Sequence, residues 1–193
     1  MRIIAGSRRG RKLVDWEESG IRPMRDFVRS ALYSILGDFL PDAAFLDLYC
    51  GTGSVGLEAL SRGARTCVFV DRSPGACRIV RRNLDALDFL ESSQVIEGDA
   101  VRVIDELVRR ARRFDLVFIG PPYHRDLVPP TLDALSDLRL LGDDPVVVAE
   151  IHRNERVAER FGGLTQVDLR RYGDNHLLFF RPERVATEDE SEP

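Results

Sequence analysis

Cysteine, histidine, lysine and tryptophan are all scarce in this chain of 193 residues, and long apolar runs are missing. Cys50, Cys67 and Cys77 are odd in number and lack C-x-x-C spacing, which excludes a disulfide framework or zinc ribbon and leaves reduced thiols in a cytoplasmic protein as the expectation. His124, His152 and His176 share no ligand spacing, so no metal site is expected. No segment approaches the ~18 to 20 consecutive apolar residues of a membrane helix, and Met1-Arg2-Ile3 does not open a secretory signal. The reading is therefore a soluble protein with no membrane partner. Lys12 is the only lysine, every other cation being arginine.

What is present is one domain's worth of chain, with 44% hydrophobic residues and a net charge of -4. That content excludes wholesale disorder, and the charge excludes a uniformly basic nucleic-acid binder. The charge is unevenly spread. Arg2, Arg8, Arg9, Arg11 and Lys12 crowd the start without an acid between them, and acidic residues crowd the end. We expect a basic N-terminal extension over residues 1–23, too short for a core of its own, in which Trp16 packs it onto the rest. A main domain is expected over 24–182 and an acidic disordered tail over 183–193.

Within the main domain, strand-length apolar runs alternate with helical patterns. Strands are expected at Ala44 to Tyr49, Thr66 to Asp71, Gln94 to Ile96, Asp115 to Ile119 and Pro145 to Ile151. Helices are expected near Val55 to Arg62, Pro74 to Leu87, Ala100 to Arg112 and Leu127 to Asp137. This is the signature of βα units on a mostly parallel sheet. Leu164 to Tyr172 and His176 to Phe180 flank a Gly173-Asp174-Asn175 turn cluster and predict a closing antiparallel hairpin. Upstream, Phe27, Val28, Ala31, Leu32, Ile35 and Leu36 repeat at helical spacing behind Asp26, a first-turn acid. No exposed apolar stripe asks for a second copy, so a monomer is expected.

Asp47-Leu48-Tyr49-Cys50-Gly51-Thr52-Gly53-Ser54-Val55-Gly56 sets an acid at a strand end, then Gly51, Gly53 and Gly56 leading into a helix. Such glycines permit a tight turn and close approach of backbone N–H groups to a ligand. Asp71 closes the second strand, where an acid accepts ribose hydroxyls, and Asp99 follows the third, within reach of an adenine amine. Capping of the following helix is the plainer use of either acid. Asp47 would repel a dinucleotide's pyrophosphate but suits a ligand cationic at that point. S-adenosylmethionine, with its sulfonium and ammonium, is preferred to NAD.

The fourth strand runs into Gly120-Pro121-Pro122-Tyr123. Two prolines fix the backbone and remove donors, leaving carbonyls beside the flat face of Tyr123. That suits an extruded base whose amine donates to the carbonyls, although a rigid proline turn is the plainer reading. Here the chain resembles a class I S-adenosylmethionine-dependent methyltransferase of the family that methylates the N2 amine of one guanine in 16S ribosomal RNA of the small subunit. The resemblance rests on Arg2-Ile3-Ile4-Ala5-Gly6, Arg9-Gly10-Arg11-Lys12-Leu13, Arg22-Pro23 with Asp26 and Val28-Arg29, Gly56 to Ala64, and Arg171-Tyr172-Gly173-Asp174.

The resemblance implies a Rossmann-like α/β fold: a seven-stranded sheet with one antiparallel strand, cofactor acids at Asp47, Asp71 and Asp99, and a basic extension gripping RNA. The substrate would be the RNA within a small subunit or an assembly intermediate. The expected phosphate contacts are Arg8, Arg9, Arg11, Lys12, Arg22, Arg25 and Arg29. The family motif begins Asp/Asn-Pro-Pro, whereas this chain has Gly120. Met24-Arg25 stands where two threonines are usual, and Phe27 replaces an arginine. Gly120 keeps a carbonyl but loses a side-chain acceptor for the amine, with His124, Asp126 or a water as candidate substitutes. Two other readings stay open: an amine methyltransferase for adenine or another nucleic acid, and an RNA-binding assembly protein with weakened catalysis.

Overall fold

A computed structural model describes residues 1–14 and 24–183; Trp16, Arg22 and the residues beyond 183 lie outside the described residues. The five predicted helices form as α1 (Asp26–Leu36), α2 (Ser54–Ser61), α3 (Pro74–Ala86), α4 (Ala100–Arg109) and α5 (Val128–Leu135). The strands are β1 (Ala44–Leu48), β2 (Thr66–Asp71), β3 (Ser93–Glu97), β4 (Phe114–Ile119), β5 (Leu141–His152), β6 (Arg160–Phe161), β7 (Leu164–Tyr172) and β8 (Asn175–Pro182).

They make one sheet in the order β3-β2-β1-β4-β5-β8-β7-β6. The pairs from β3 to β5 are parallel, and β8 enters antiparallel between β5 and β7. The sheet has eight strands rather than the expected seven. The addition, β6, is a two-residue edge ladder whose partners Thr165 and Leu164 hold it, and two residues carry no readable alternation.

Because successive strand side chains face opposite ways, β1 divides its core between two layers. Phe45 packs in the cluster with α1, α2 and α3, whereas Leu46 and Leu48 pack with α4 and α5. Apart from the edge strand β3, which has no buried residue, the parallel strands are buried on both faces over most of their length, which is why they read as continuous apolar runs. Asp47 shares the parity of Phe45, so a carboxylate enters the α1 side of the core.

The N-terminal segment is a small hairpin closed by an Arg2–Lys12 bridge, and it is built into the domain rather than appended to it. Ile3 and Leu13 are buried in the main core. Gly6 has φ 82°, and a Cβ there would lie 1.8 Å from the Ser61 carbonyl oxygen, so only glycine lets the Ser7 amide donate to that oxygen at 2.6 Å. Glu58, fully buried on α2, accepts from the amides of Ile4 (2.8 Å) and Ala5 (2.9 Å) and from Arg62 Nε (2.7 Å).

Arg29 is also fully buried. It donates to the Arg2 carbonyl at 2.7 Å and to Asp26 at 2.9 Å, and its Nε stands 3.9 Å from Glu58. The expected RNA contact at Arg29 is corrected accordingly: its charge is spent inside the fold, securing the hairpin.

Candidate active site and cofactor pocket

The parallel strands deliver their carboxyl ends to one rim, and the site grows from the turn after β1. Tyr49 takes a left-handed φ of 61°, followed by Gly51 at 55° and Gly53 at 76°. Such angles cost a side-chain-bearing residue roughly 1–2 kcal/mol. Tyr49 is secured by its hydroxyl, 2.8 Å from Thr131 Oγ1. Gly56 is required for packing: a Cβ there would lie 2.4 Å from the Phe69 ring and 2.6 Å from Cys67 Sγ. The sequence places glycine where this turn reverses and where α2 meets the sheet.

Asp47 is 1% exposed, and its Oδ2 accepts from the Gly56 amide at 2.9 Å. Burial pushes its carboxyl up to about 7 against the pull of that hydrogen bond, with the charge of Asp71 adding to the rise. A carboxylate taken out of water needs a cationic partner. Among the described residues no lysine, arginine or histidine lines its pocket, whose walls are Met24, Asp47, Tyr49, Cys50, Gly51, Thr52, Ser54, Val55, Phe118, Gly120 and Glu150. The arrangement fits S-adenosylmethionine, whose positive charges would satisfy Asp47; a pyrophosphate would meet an uncompensated carboxylate.

The other two acids divide. Asp71 is not the cap of α3, a task done by Ser73, which accepts from the Ala76 amide at 3.3 Å. Asp71 instead accepts from Gly51 (2.9 Å) and Ser73 (2.9 Å), bracing the glycine turn against the end of β2. Asp99 does cap α4, accepting from the Arg102 amide at 3.2 Å, and is exposed at the same rim.

Of the Gly120-Pro121-Pro122-Tyr123 segment, Gly120 lines the pocket directly and its amide donates to the Leu48 carbonyl at 3.2 Å, extending the β1–β4 pairing by one rung. Pro121 is buried and Pro122 exposed. Tyr123 donates its hydroxyl to Glu150 Oε1 at 2.8 Å, and Asn175 Nδ2 donates to both the Tyr123 oxygen (2.6 Å) and Glu150 Oε1. Glu150 is 7% exposed, and burial raises its carboxyl above the ordinary glutamate value.

Sequence reasoning missed Glu150, although a signal was there: it is the one charged residue inside the apolar run Pro145 to Ile151. His124 and Asp126, the expected substitutes, are exposed with left-handed φ values of 59° and 51° and stand outside the pocket lining. The His124 amide donates to Glu155 instead.

On the hairpin, Arg9, Arg11 and Lys12 are exposed, as is Arg25 before α1. Arg8 is partly committed, its Nε donating to the Leu87 carbonyl at 2.7 Å. Arg11 also holds the Ala86 carbonyl at 2.6 Å. All three cysteines are buried free thiols, and no cluster suited to a metal occurs among the described residues. None of the described helices is long and apolar enough to cross a membrane.

The family model described as Conserved hypothetical protein 95 matches residues 1–181. Bacillus subtilis YlbH is 34% identical over 181 residues, 94% of this chain and 98% of that protein. The Escherichia coli protein named Ribosomal RNA small subunit methyltransferase D is 33% identical over 150 residues, 78% of this chain and 74% of its own. The solved structure of Escherichia coli yhhF superposes with a TM-score of 0.83 at 27% identity, covering 95% of this chain and 98% of that one. With its Rossmann-like fold and a family match running from residue 1 to 181, this chain belongs to the Conserved hypothetical protein 95 family of methyltransferases, alongside small subunit methyltransferase D.

Proposed function

We propose that this chain transfers the methyl group of S-adenosylmethionine to the exocyclic N2 amine of a guanine in 16S ribosomal RNA, acting as a cytoplasmic monomer on the small subunit or an assembly intermediate. The observation that carries the reading is the buried, cation-seeking Asp47 sharing one pocket with Gly120 at the end of β4. The target class follows the relative named for the small-subunit RNA.

S-adenosylmethionine supplies an electrophilic methyl group on sulfonium. The residues here would hold it by charge at Asp47, by backbone groups of the Gly51 to Gly56 turn, and by spare acceptor positions on Asp71 and Asp99 for ribose hydroxyls and the adenine amine. A guanine amine is a poor nucleophile because its lone pair is delocalised into the ring. The chain's task is to accept the amine hydrogens so that this pair faces the methyl carbon. The Pro121 carbonyl is the backbone acceptor for one of these hydrogens, and Tyr123 offers a face for the extruded base. Arg8, Arg9, Arg11, Lys12 and Arg25 would neutralise phosphates, giving salt-dependent affinity. Arg22 belongs to the same expected set, outside the described residues.

The test is transfer of a labelled methyl group to undermethylated small subunits, followed by mapping of the modified nucleotide. One guanine N2 is expected. A labelled adenine would assign a different target, and cofactor uptake without transfer would identify a binding protein.

A further inference from the structure

On the carboxyl rim, the absence of a side chain at Gly120 coincides with a carboxylate on the neighbouring strand. Leu48, Ile119 and Ala149 lie in register across β1, β4 and β5, so the next position along β4 and β5 sets Gly120 beside Glu150. Val146 and Val148 pack on the same face as Phe45, and Glu150 shares their parity, which is that of Asp47. Gly120 and Glu150 both line the pocket.

The bonds of Glu150 are lopsided. Tyr123 and Asn175 both donate to Oε1, and among the described residues nothing donates to Oε2 and no cation pairs with the carboxylate. A nearly buried carboxylate with one oxygen doubly bonded and the other left over is poorly satisfied by the protein alone. Asp47 cannot fill the same role, since its charge answers the cofactor's.

We propose that Glu150 is a catalytic residue whose Oε2 accepts a hydrogen of the target's exocyclic amine and then takes the proton released on methylation. The inference rests on the amine-methyltransferase reading above. As the amine's electron pair forms the new N–C bond, the C–S bond breaks and its pair stays on sulfur, which becomes a neutral thioether. The methylated amine carries one surplus proton and passes it to Glu150, which returns it to water after product leaves. Burial supports this exchange by making the carboxylate a better proton acceptor than an ordinary glutamate. Tyr123 and Asn175 orient the acid, the His152 ring lies 5.7 Å from that of Tyr123, and Asp47, Tyr49 and Cys50 are the other titratable groups on the pocket wall.

The experiment is single-turnover methyl transfer to undermethylated small subunits across pH 5 to 8, with cofactor affinity measured by calorimetry on the same proteins. Glu150→Gln keeps an oxygen for Tyr123 and Asn175 and is expected to retain cofactor affinity while losing roughly 10²-fold in rate. With cofactor saturating at every pH, the wild-type rate is expected to fall on the acid side as Glu150 becomes protonated, and that limb is expected to vanish in Glu150→Gln. Tyr123→Phe, which leaves the carboxylate in place, is expected to keep the limb. An unchanged rate and pH profile in Glu150→Gln overturns the assignment alone. Wild-type protein that binds cofactor but transfers nothing overturns the functional reading and this proposal together.

Discussion

A Cβ on Gly120 would lie 2.6 Å from Cε1 of Phe118, so the ring of one residue occupies the space that a side chain at the other would need. Phe118 is 4% exposed and lines the same pocket, and it cannot swing aside without disturbing the core. Gly120→Asp is therefore expected to cost about 1–3 kcal/mol by overpacking and to give no gain in transfer. Combining it with Phe118→Leu is expected to recover part of that loss, a non-additivity that denaturant unfolding of the two single variants and the double variant measures.

Asp47 ties stability and ligand affinity to pH in opposite senses. In the unliganded fold its carboxyl sits near 7 against an ordinary 3.8, so between those values the folded state holds a proton that the unfolded state does not. Stability is then expected to fall as pH rises through this window, by on the order of 4 kcal/mol in total. Affinity for a cationic ligand is expected to rise over the same interval, because the ionised carboxylate is the binding form. Asp47→Asn should flatten the stability profile, raise the melting temperature at pH 8 and weaken cofactor binding. Thermal melts and calorimetry at pH 5, 6, 7 and 8 check both senses.

Glu58 gathers two backbone amides and an arginine inside the core. Truncating it strands those donors and leaves the buried Arg29, among the described residues, with Asp26 as its one remaining acid. Glu58→Ala is expected to destabilise by about 3–5 kcal/mol and to open the hairpin to limited proteolysis before the sheet unfolds.

Arg9 and Lys12 are exposed on that hairpin, in contrast to Arg29. Arg9→Ala with Lys12→Ala is expected to weaken binding to small-subunit RNA and to lower the salt slope by about 1 for each phosphate left unneutralised, with cofactor affinity unchanged. Binding isotherms at several salt concentrations separate this from a folding defect, which would lower both affinities.

Much of the architecture was legible because a doubly buried parallel strand announces itself as an apolar run and each crossover helix shows its own period. The glycine turn and Asp47 were legible for a different reason: charge beside glycine at a strand tip has few structural uses. The sequence hid whatever depended on register. Glu150 becomes significant only when β5 is aligned with β4, since that alignment brings it beside Gly120. Arg29 reads as one more basic residue until Glu58, 29 positions away in the chain, is folded against it. The two-residue β6 lies below the length at which alternation can be seen.

Helix α2 is only eight residues long, yet within three positions it carries Gly56, bonded to the buried Asp47, and Glu58, bonded to the N-terminal hairpin. The N-terminal hairpin and the turn that surrounds Asp47 thus share a single short rod as their common mounting. Displacing the hairpin is therefore expected to disturb, within one helical turn, the amide that holds Asp47.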